Sequence, residues 1–338
     1  MFCWALLALT RQACWTFIAV LLLFSSGTGL AQSLKKVNAA FNAFAYANPP
    51  FWIAKDLRLF EKYGLDVDLV YVGGSRPVQA MLGGSIDVSQ AGGAATVAAA
   101  AKGAEVVILG TVFDRLVFAV HAASQIKDIN DLKGKTIATG NVGGNNYFAG
   151  RLLLSKLGWV LNRDIFLRIT GGTPEALAAL QHGQVQAAIL TPPTTTLAMR
   201  AGFRQIFDIA SLELPFPSIS VVSSRRFVKS NPETILNVLR ATSEAIHLYQ
   251  SQPEQTLPVV AKYMRVPKDD PSLRESYELL GEHLNKTLDP SLEGIKFILD
   301  FLAEQEPSVK SKKAEEFVDT RYLQKLREEG FFNKLSGK

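Results

Sequence analysis

The stretch "DVSQAGGAATVAAAAKGAEVVILG", residues 87–110, passes from a β-type run into a Gly-Gly pair, then into a small-residue helical pattern, then into a second apolar strand. Two strands separated by a helix cannot form a hairpin, so they predict parallel pairing across a helical crossover. At the turn, glycine permits backbone conformations that other residues avoid and lets a partner approach the main chain. The helix that follows opens with N–H groups that have no intrahelical acceptor, so Gly92 and Gly93 are candidate contacts for an anion or dipole. A lone pair of this kind is equally an ordinary strand-to-helix turn. Recurrence separates the two possibilities.

Working outward, the preceding chain reads strand 37–41, helix 50–63, strand 66–72, helix 76–83 and strand 86–90, followed by helix 94–102 and strand 105–112. The same order of seven elements returns: strand 135–139, helix 145–157, strand 165–170, helix 174–182, strand 185–190, helix 194–201, strand 204–209. Helix-ending glycines keep time with it. Gly84 and Gly103 are 19 residues apart, as are Gly183 and Gly202, and the two pairs are offset by 99 residues. Glycine often ends a helix, so spacing at two positions is weak by itself. Combined with the shared element order, it implies two similar α/β lobes.

After residue 210 the plan changes. A β run at 218–224 precedes a mainly helical tail over 232–332, in which Pro232 sits near a helix start. If that tail returns to the first lobe, the chain crosses twice, near 113–121 and 217–225. Lobe one is then 32–116 with 222–338, lobe two is 117–221, and the crossings form a hinge. Ligands of parallel α/β sheets gather beyond the carboxyl ends of the strands. The loops expected there are "NAFAYANPP" (42–50), "GGSR" (73–76), "AGG" (91–93), "GNVGGNN" (140–146), "GGTP" (171–174) and "TPPTTT" (191–196), three from each lobe.

Residues 1–31 differ from the rest. Arg11 is the only charged side chain among them, and the apolar run from Cys14 to Phe24 ends in small residues. This predicts a secretory signal peptide cleaved after about Ala31. An uncleaved anchor would need the apolar stretch to run back across Arg11 and Gln12. Both cysteines, Cys3 and Cys14, lie in the leader, so the mature chain has no disulfide, thiolate metal site or thiol nucleophile. Without the leader the net charge falls from +5 to +4, spread without a polybasic stripe, which argues against nucleic acid as a partner. The four histidines show no ligand spacing, and neither a G-x-S-x-G turn nor a phosphate loop ending in GK[ST] is present.

The segments "PPFWIAKDLRLFEKYGLDVDLVYVGG" (49–74), "VQAMLGGSIDVSQAGG" (78–93), "KDINDLKGKTIATG" (127–140) and "LAALQHGQVQAAIL" (177–190) resemble the SsuA/TauA/NrtA and NMT1/THI5-like group of ABC-transporter solute-binding proteins. The resemblance covers roughly residues 35–250. It implies an α/β periplasmic-binding-protein fold of the two-crossing kind (type II), with the ligand between the lobes. It further implies a small anionic solute of sulfonate, nitrate or carboxylate type, a periplasmic location, no cofactor, and permease and ATPase subunits as partners of a monomer. The pyrimidine-synthase branch of the THI5-like proteins carries a cysteine-rich motif that the mature chain lacks, so an enzyme is the lesser alternative. A ligand-sensing module of a membrane receptor is the other.

For the site, the Gly-rich loops point to main-chain N–H donors. Gly92, Gly93, Gly143 and Gly144 allow close approach, with Gly74 in the equivalent loop. Asn48, Ser75, Asn145, Asn146 and Thr191 supply side-chain hydrogen bonds. Arg76, beside "GGS", is the alternative handle for a carboxylate or sulfonate, or else a solvated helix-start residue. Arg115 either meets the solute or pairs with neighbouring Asp114 at the crossing. Tyr46, within a loop, is the aromatic candidate for the pocket wall. Trp52 fits the core face of its helix.

Overall fold

The computed structural model describes residues 33–45, 48–73, 76–304 and 306–337. The expected signal peptide therefore lies outside the described residues. The repeated plan appears as two five-stranded sheets. In the first, β1 (Lys35–Phe41), β2 (Leu65–Tyr71), β3 (Val88–Ala91) and β4 (Val106–Arg115) come from the first unit of the repeat. The second takes β6 (Thr136–Gly140), β7 (Phe166–Gly171), β8 (Ala187–Leu190) and β9 (Arg204–Asp208) from the second unit. Each is completed by a strand from a crossing, β10 (Pro215–Ser224) in the first and β5 (Ala119–Ala122) in the second. The orders β2-β1-β3-β10-β4 and β7-β6-β8-β5-β9 match position for position.

Parallel pairing holds where a helix intervenes: β1 with β2 and β3, and β6 with β7 and β8. The crossing strands run the other way. β10 is antiparallel to β3 and β4, and β5 to β8 and β9. Each enters its sheet directly from the other half without a crossover helix, so nothing returns it to the parallel direction. The first sheet regains the chain at Pro215, so the second passage spans 209–214, earlier than the 217–225 anticipated from the β run. Pro217 lies within that strand and masked its true start.

Burial explains the sequence of each strand. β3 (VSQA) and β8 (AAIL) are buried throughout, as expected of strands covered on both faces. β2 lies at a sheet edge and alternates, with Leu65 and Val67 buried and Asp66 and Asp68 exposed. Those acids discourage edge-to-edge pairing. The helix expected over 50–63 is two pieces, α1 (Pro49–Asp56) and α2 (Leu59–Lys62), because Arg58 takes a left-handed φ of 57°. The break sets Leu59 and Phe60 into the core, an offset to the strain of about 1–2 kcal/mol. Helices α3 (Arg76–Leu82) and α4 (Gly93–Ala101) follow in the first unit, and α5 (Asn145–Leu157), α6 (Thr173–Gln181) and α7 (Thr194–Arg200) in the second.

The tail adds α8 (Arg225–Ser230), α9 (Pro232–Ser251), α10 (Pro253–Met264), α11 (Pro271–Gly281) and α12 (Leu292–Ala303), then α13 (Arg321–Glu328) and α14 (Phe331–Leu335). It lies on the first sheet. The Thr111 amide donates to the Leu288 carbonyl at 2.8 Å, and the Asp319 amide to the Ile108 carbonyl at 2.8 Å. One apolar cluster joins the two halves: Phe148 of α5 packs against Phe216 of β10 and Phe301 of α12, with centroids 5.5 and 5.1 Å away. At its edge Arg151 pairs with Glu304 at 2.8 Å.

Candidate ligand-binding cleft

The carboxyl ends of β1 and β3 face those of β6 and β7 across a cavity of about 420 Å³. Asn42, Gly92, Ala95 and Ala98 line it from the first half, and residues 140–146 with Gly171 from the second. None of these carries a charge. Two helices begin here, α4 after Gly92 and α5 after Gly144, and neither N-cap glycine supplies a side-chain cap. Their first-turn N–H groups therefore need another acceptor, and the positive ends of both helix dipoles favour an anion.

Gly92 is where the halves meet. A Cβ built there would lie 3.9 Å from Asn42 Nδ2, 3.9 Å from the Ser218 carbonyl oxygen and 4.0 Å from Asn145 Oδ1. Asn145 Nδ2 donates to that Ser218 carbonyl at 2.9 Å, tying α5 to β10 and leaving its Oδ1 turned toward Gly92. Gly93 has a different task. A Cβ there would stand 2.3 Å from the Pro217 carbonyl oxygen, so this glycine is needed for α4 to pack on β10. Gly143 has a φ of +84° with open space around it, and a Cβ on Gly144 would come 3.1 Å from the Asn141 carbonyl. Both shape the turn into α5.

The remaining candidates have different surroundings. Asn146 is spent internally: its Oδ1 accepts from Thr139 Oγ1 at 2.8 Å and its Nδ2 donates to the Ile189 carbonyl at 2.9 Å. Thr191 offers its carbonyl to the Thr194 amide and hydroxyl at 2.9 and 2.5 Å, closing the turn into α7. Arg115 lies 3.6 Å from Asp114 Oδ1, a half-exposed pair of little energetic weight. Arg76 folds back, its Nε donating to the Gly73 carbonyl at 3.2 Å. Tyr46, Gly74 and Ser75 lie outside the described residues.

Asn48 is the most informative. It is fully buried, and among the described residues neither its Oδ1 nor its Nδ2 has a hydrogen-bond partner. Asn42 Oδ1 and Trp52 Nε1 are likewise buried and unpartnered. Each such group costs about 1–3 kcal/mol unless something fills its hydrogen bonds, and of these residues Asn42 lines the cavity. Trp52 is in the core as expected, stacked on Tyr263 at 4.9 Å. Phe148 and Tyr147 are buried too, whereas Phe44 and Tyr71 stay exposed with centroids 4.7 Å apart.

Asn42 was not singled out in the sequence. Asn42 opens the loop after β1 and was within reach of the strand-end rule. Among the described residues no group of three His, Cys, Asp or Glu side chains is placed to hold a metal ion. No described helix is long and apolar enough to cross a membrane.

Two matched sheets joined by two passages, with opposed strand ends around a cavity, define the two-lobe fold of periplasmic binding proteins. The chain belongs to the NMT1/THI5-like family, whose model matches residues 48–256. It is 28% identical over 298 residues to a Brucella abortus (strain 2308) protein named as a binding protein, covering 82% of this chain and 88% of that one. A protein of Escherichia coli (strain K12) named for binding aliphatic sulfonates is 30% identical over 223 residues, with 64% and 68% covered. The crystal structure of the periplasmic aliphatic sulphonate binding protein SsuA from Escherichia coli superposes with a TM-score of 0.68 at 24% identity, covering 85% of this chain and 98% of that one. These relatives are binding proteins rather than enzymes.

Proposed function

We propose that the protein is the periplasmic solute-binding component of an ABC importer, secreted through its N-terminal leader. It captures a small organic or inorganic anion of the sulfonate, nitrate or carboxylate type between its lobes and delivers it to a permease. The observation that carries this is the convergence of two uncapped helix N-termini, those of α4 and α5, on a cavity whose lining holds no charged side chain. Several oriented N–H groups in a water-poor site hold an anion without a neutralising lysine or arginine. Asn42 and Asn48 supply the orphaned amide atoms that a solute's polar groups would complete.

The test is thermal unfolding of the protein purified from the periplasmic fraction of cells expressing the full chain, with sulfonates, nitrate, carboxylates and pyrimidines. A solute at 100 times its dissociation constant adds about 2.7 kcal/mol, a rise of several degrees. A rise with one anion class supports the proposal. Stabilisation by uncharged pyrimidines alone, or recovery of the protein only from the cytoplasm, would overturn it.

A further inference from the structure

A second cavity, of about 300 Å³, lies between the tail and the second half, where β5 and β9 end the second sheet. The chain leading into β5, helix α7 and the end of β9 form one wall, and α11 forms the other. It shares no lining residue with the cleft at the N-termini of α4 and α5. Both walls are anchored. On one side the Ile209 amide donates to the Phe118 carbonyl at 2.9 Å. On the other, just past α11, the Asn285 amide donates to the Val112 carbonyl at 2.9 Å, and the His283 ring meets Phe113 edge-on with centroids 6.3 Å apart.

Two carboxylates, Asp208 and Glu275, come to this cavity from opposite walls, and no lysine or arginine lines it. Among the described residues neither acid is in a salt bridge. Arg274, beside Glu275, is taken by Glu254 at 3.5 Å and Glu278 at 3.7 Å, and the Asp208 carboxyl accepts from the Ala210 amide at 2.9 Å. The hydroxyls are equally open. Ser276 is 2% exposed and Thr195 9%, and both line the cavity. Buried helix hydroxyls elsewhere bond to the carbonyl one turn back, as Thr242 does to Val238 at 2.7 Å and Thr256 to Gln252 at 3.2 Å. Ser276 and Thr195 make no such bond, nor any other side-chain hydrogen bond among the described residues, and a buried hydroxyl left this way is costly until something fills it. A metal ion does not suit the place, since among the described residues the carboxylates and His283 do not gather into a set that could hold one.

We propose that this cavity is a second binding site, for a small primary ammonium ion with a short apolar body. The ammonium has three N–H donors and no acceptor, which matches hydroxyls that lack a donor and carboxylates that lack a cation. Asp208 and Glu275 attract it, and Ser276 and Thr195 accept its hydrogen bonds. The body lies against Phe118, Met199 and Leu279, of which Met199 and Leu279 are 48% and 50% exposed and gain most from being covered. Because the walls come from both halves, an occupant that touches both favours the arrangement in which they face each other.

The experiment is calorimetric titration of butylammonium chloride into the protein purified from cells expressing the full chain, with butanol and tetramethylammonium chloride as comparisons at equal ionic strength. Butylammonium should bind saturably, one per chain. Butanol, which lacks the charge, and tetramethylammonium, which lacks the N–H groups, should each bind at least tenfold more weakly. Ser276→Ala removes a hydroxyl that has no partner, so it should melt as the wild type does while weakening butylammonium about tenfold. Asp208→Asn combined with Glu275→Gln should weaken it tenfold or more and flatten the dependence of binding on salt. Melting temperatures establish that both variants fold, and Ser276→Ala carries the test by itself if the double variant does not. Absence of saturable binding, equal binding of either comparison compound, or affinity that survives the substitutions in a folded protein would overturn the proposal. None of these outcomes bears on anion capture in the cleft, whose lining is separate.

Discussion

Adjacent glycines at the head of α4 should respond in opposite ways to the same added methyl group. At Gly93 an alanine Cβ would stand 2.3 Å from the Pro217 carbonyl oxygen, 2.7 Å from Pro217 Cβ and 3.0 Å from Ser220 Oγ. Two of these contacts are roughly 1 Å short of ordinary van der Waals separation, and they involve the β10 main chain and a rigid proline ring. Helix and strand must part, which for overpacking costs about 1–3 kcal/mol. The lower entropy of an unfolded chain with alanine returns about 0.4–1 kcal/mol of that. The net loss, about 1–2 kcal/mol, corresponds to a fall of about 2–8 °C in melting temperature. At Gly92 the nearest atoms are 3.9 Å away and the backbone, with φ −63° and ψ 120°, suits alanine. Gly92→Ala should melt with the wild type, yet lose affinity, because its methyl group enters the space between Asn42 and Asn145. Scanning calorimetry with and without solute, followed by titration, measures both effects. If Gly93→Ala melts unchanged, or Gly92→Ala is the less stable of the two, the assignment of one glycine to packing and its neighbour to the cleft is wrong.

Two further substitutions test buried polar groups. His121 is fully buried on β5, and burial holds its imidazole below the ordinary 6.5 against a smaller opposing effect of the Ala119 backbone. The unfolded chain therefore takes up a proton first as pH falls, so stability is complete above about pH 6.5 and declines below it until the folded-state value is reached, by about 1.4 kcal/mol per pH unit. His121→Leu should flatten the melting temperature between pH 7 and pH 5, and an unchanged slope would show that other groups govern it. Asn48→Leu removes two orphaned amide atoms, and the solute-free protein should melt a few degrees higher. If Asn48 serves the solute, the same variant loses solute affinity at least tenfold, and retained affinity would assign the amide no part in capture.

What could be read in advance was whatever repeats along the chain. The Gly84–Gly103 and Gly183–Gly202 spacing recorded a duplication because each glycine has a positive φ, 76°, 90°, 65° and 87°, where a helix ends and the chain turns back to a strand. The cleft was legible at the level of loops for a related reason, since parallel strands place their ends together on one side. Direction in the crossing strands was not, because "AVHA" and "PFPSISVVSS" carry the same β-type composition whichever way they run. Individual roles were less legible still. Gly92 and Gly93 are identical residues in one motif, and only the position of the Pro217 carbonyl, 124 residues away in sequence from Gly93, separates packing from cleft. Asn145 and Asn146 divide in the same manner. On successive positions of α5, one reaches β10 of the other half and the next turns inward to Thr139 and Ile189.

The Asn145 bond to Ser218, the Phe148 contacts with Phe216 and Phe301, and the Arg151–Glu304 pair all issue from α5, on one face at i, i+3 and i+6. The N-terminus of that helix also faces the cavity. A displacement that parts α5 from β10 and α12 breaks these contacts, so the helix whose N-terminus lines the cavity also joins the halves. An anion at its first turn strengthens the closed arrangement only to the extent that its contacts to the α4 N-terminus exist there and are lost on opening.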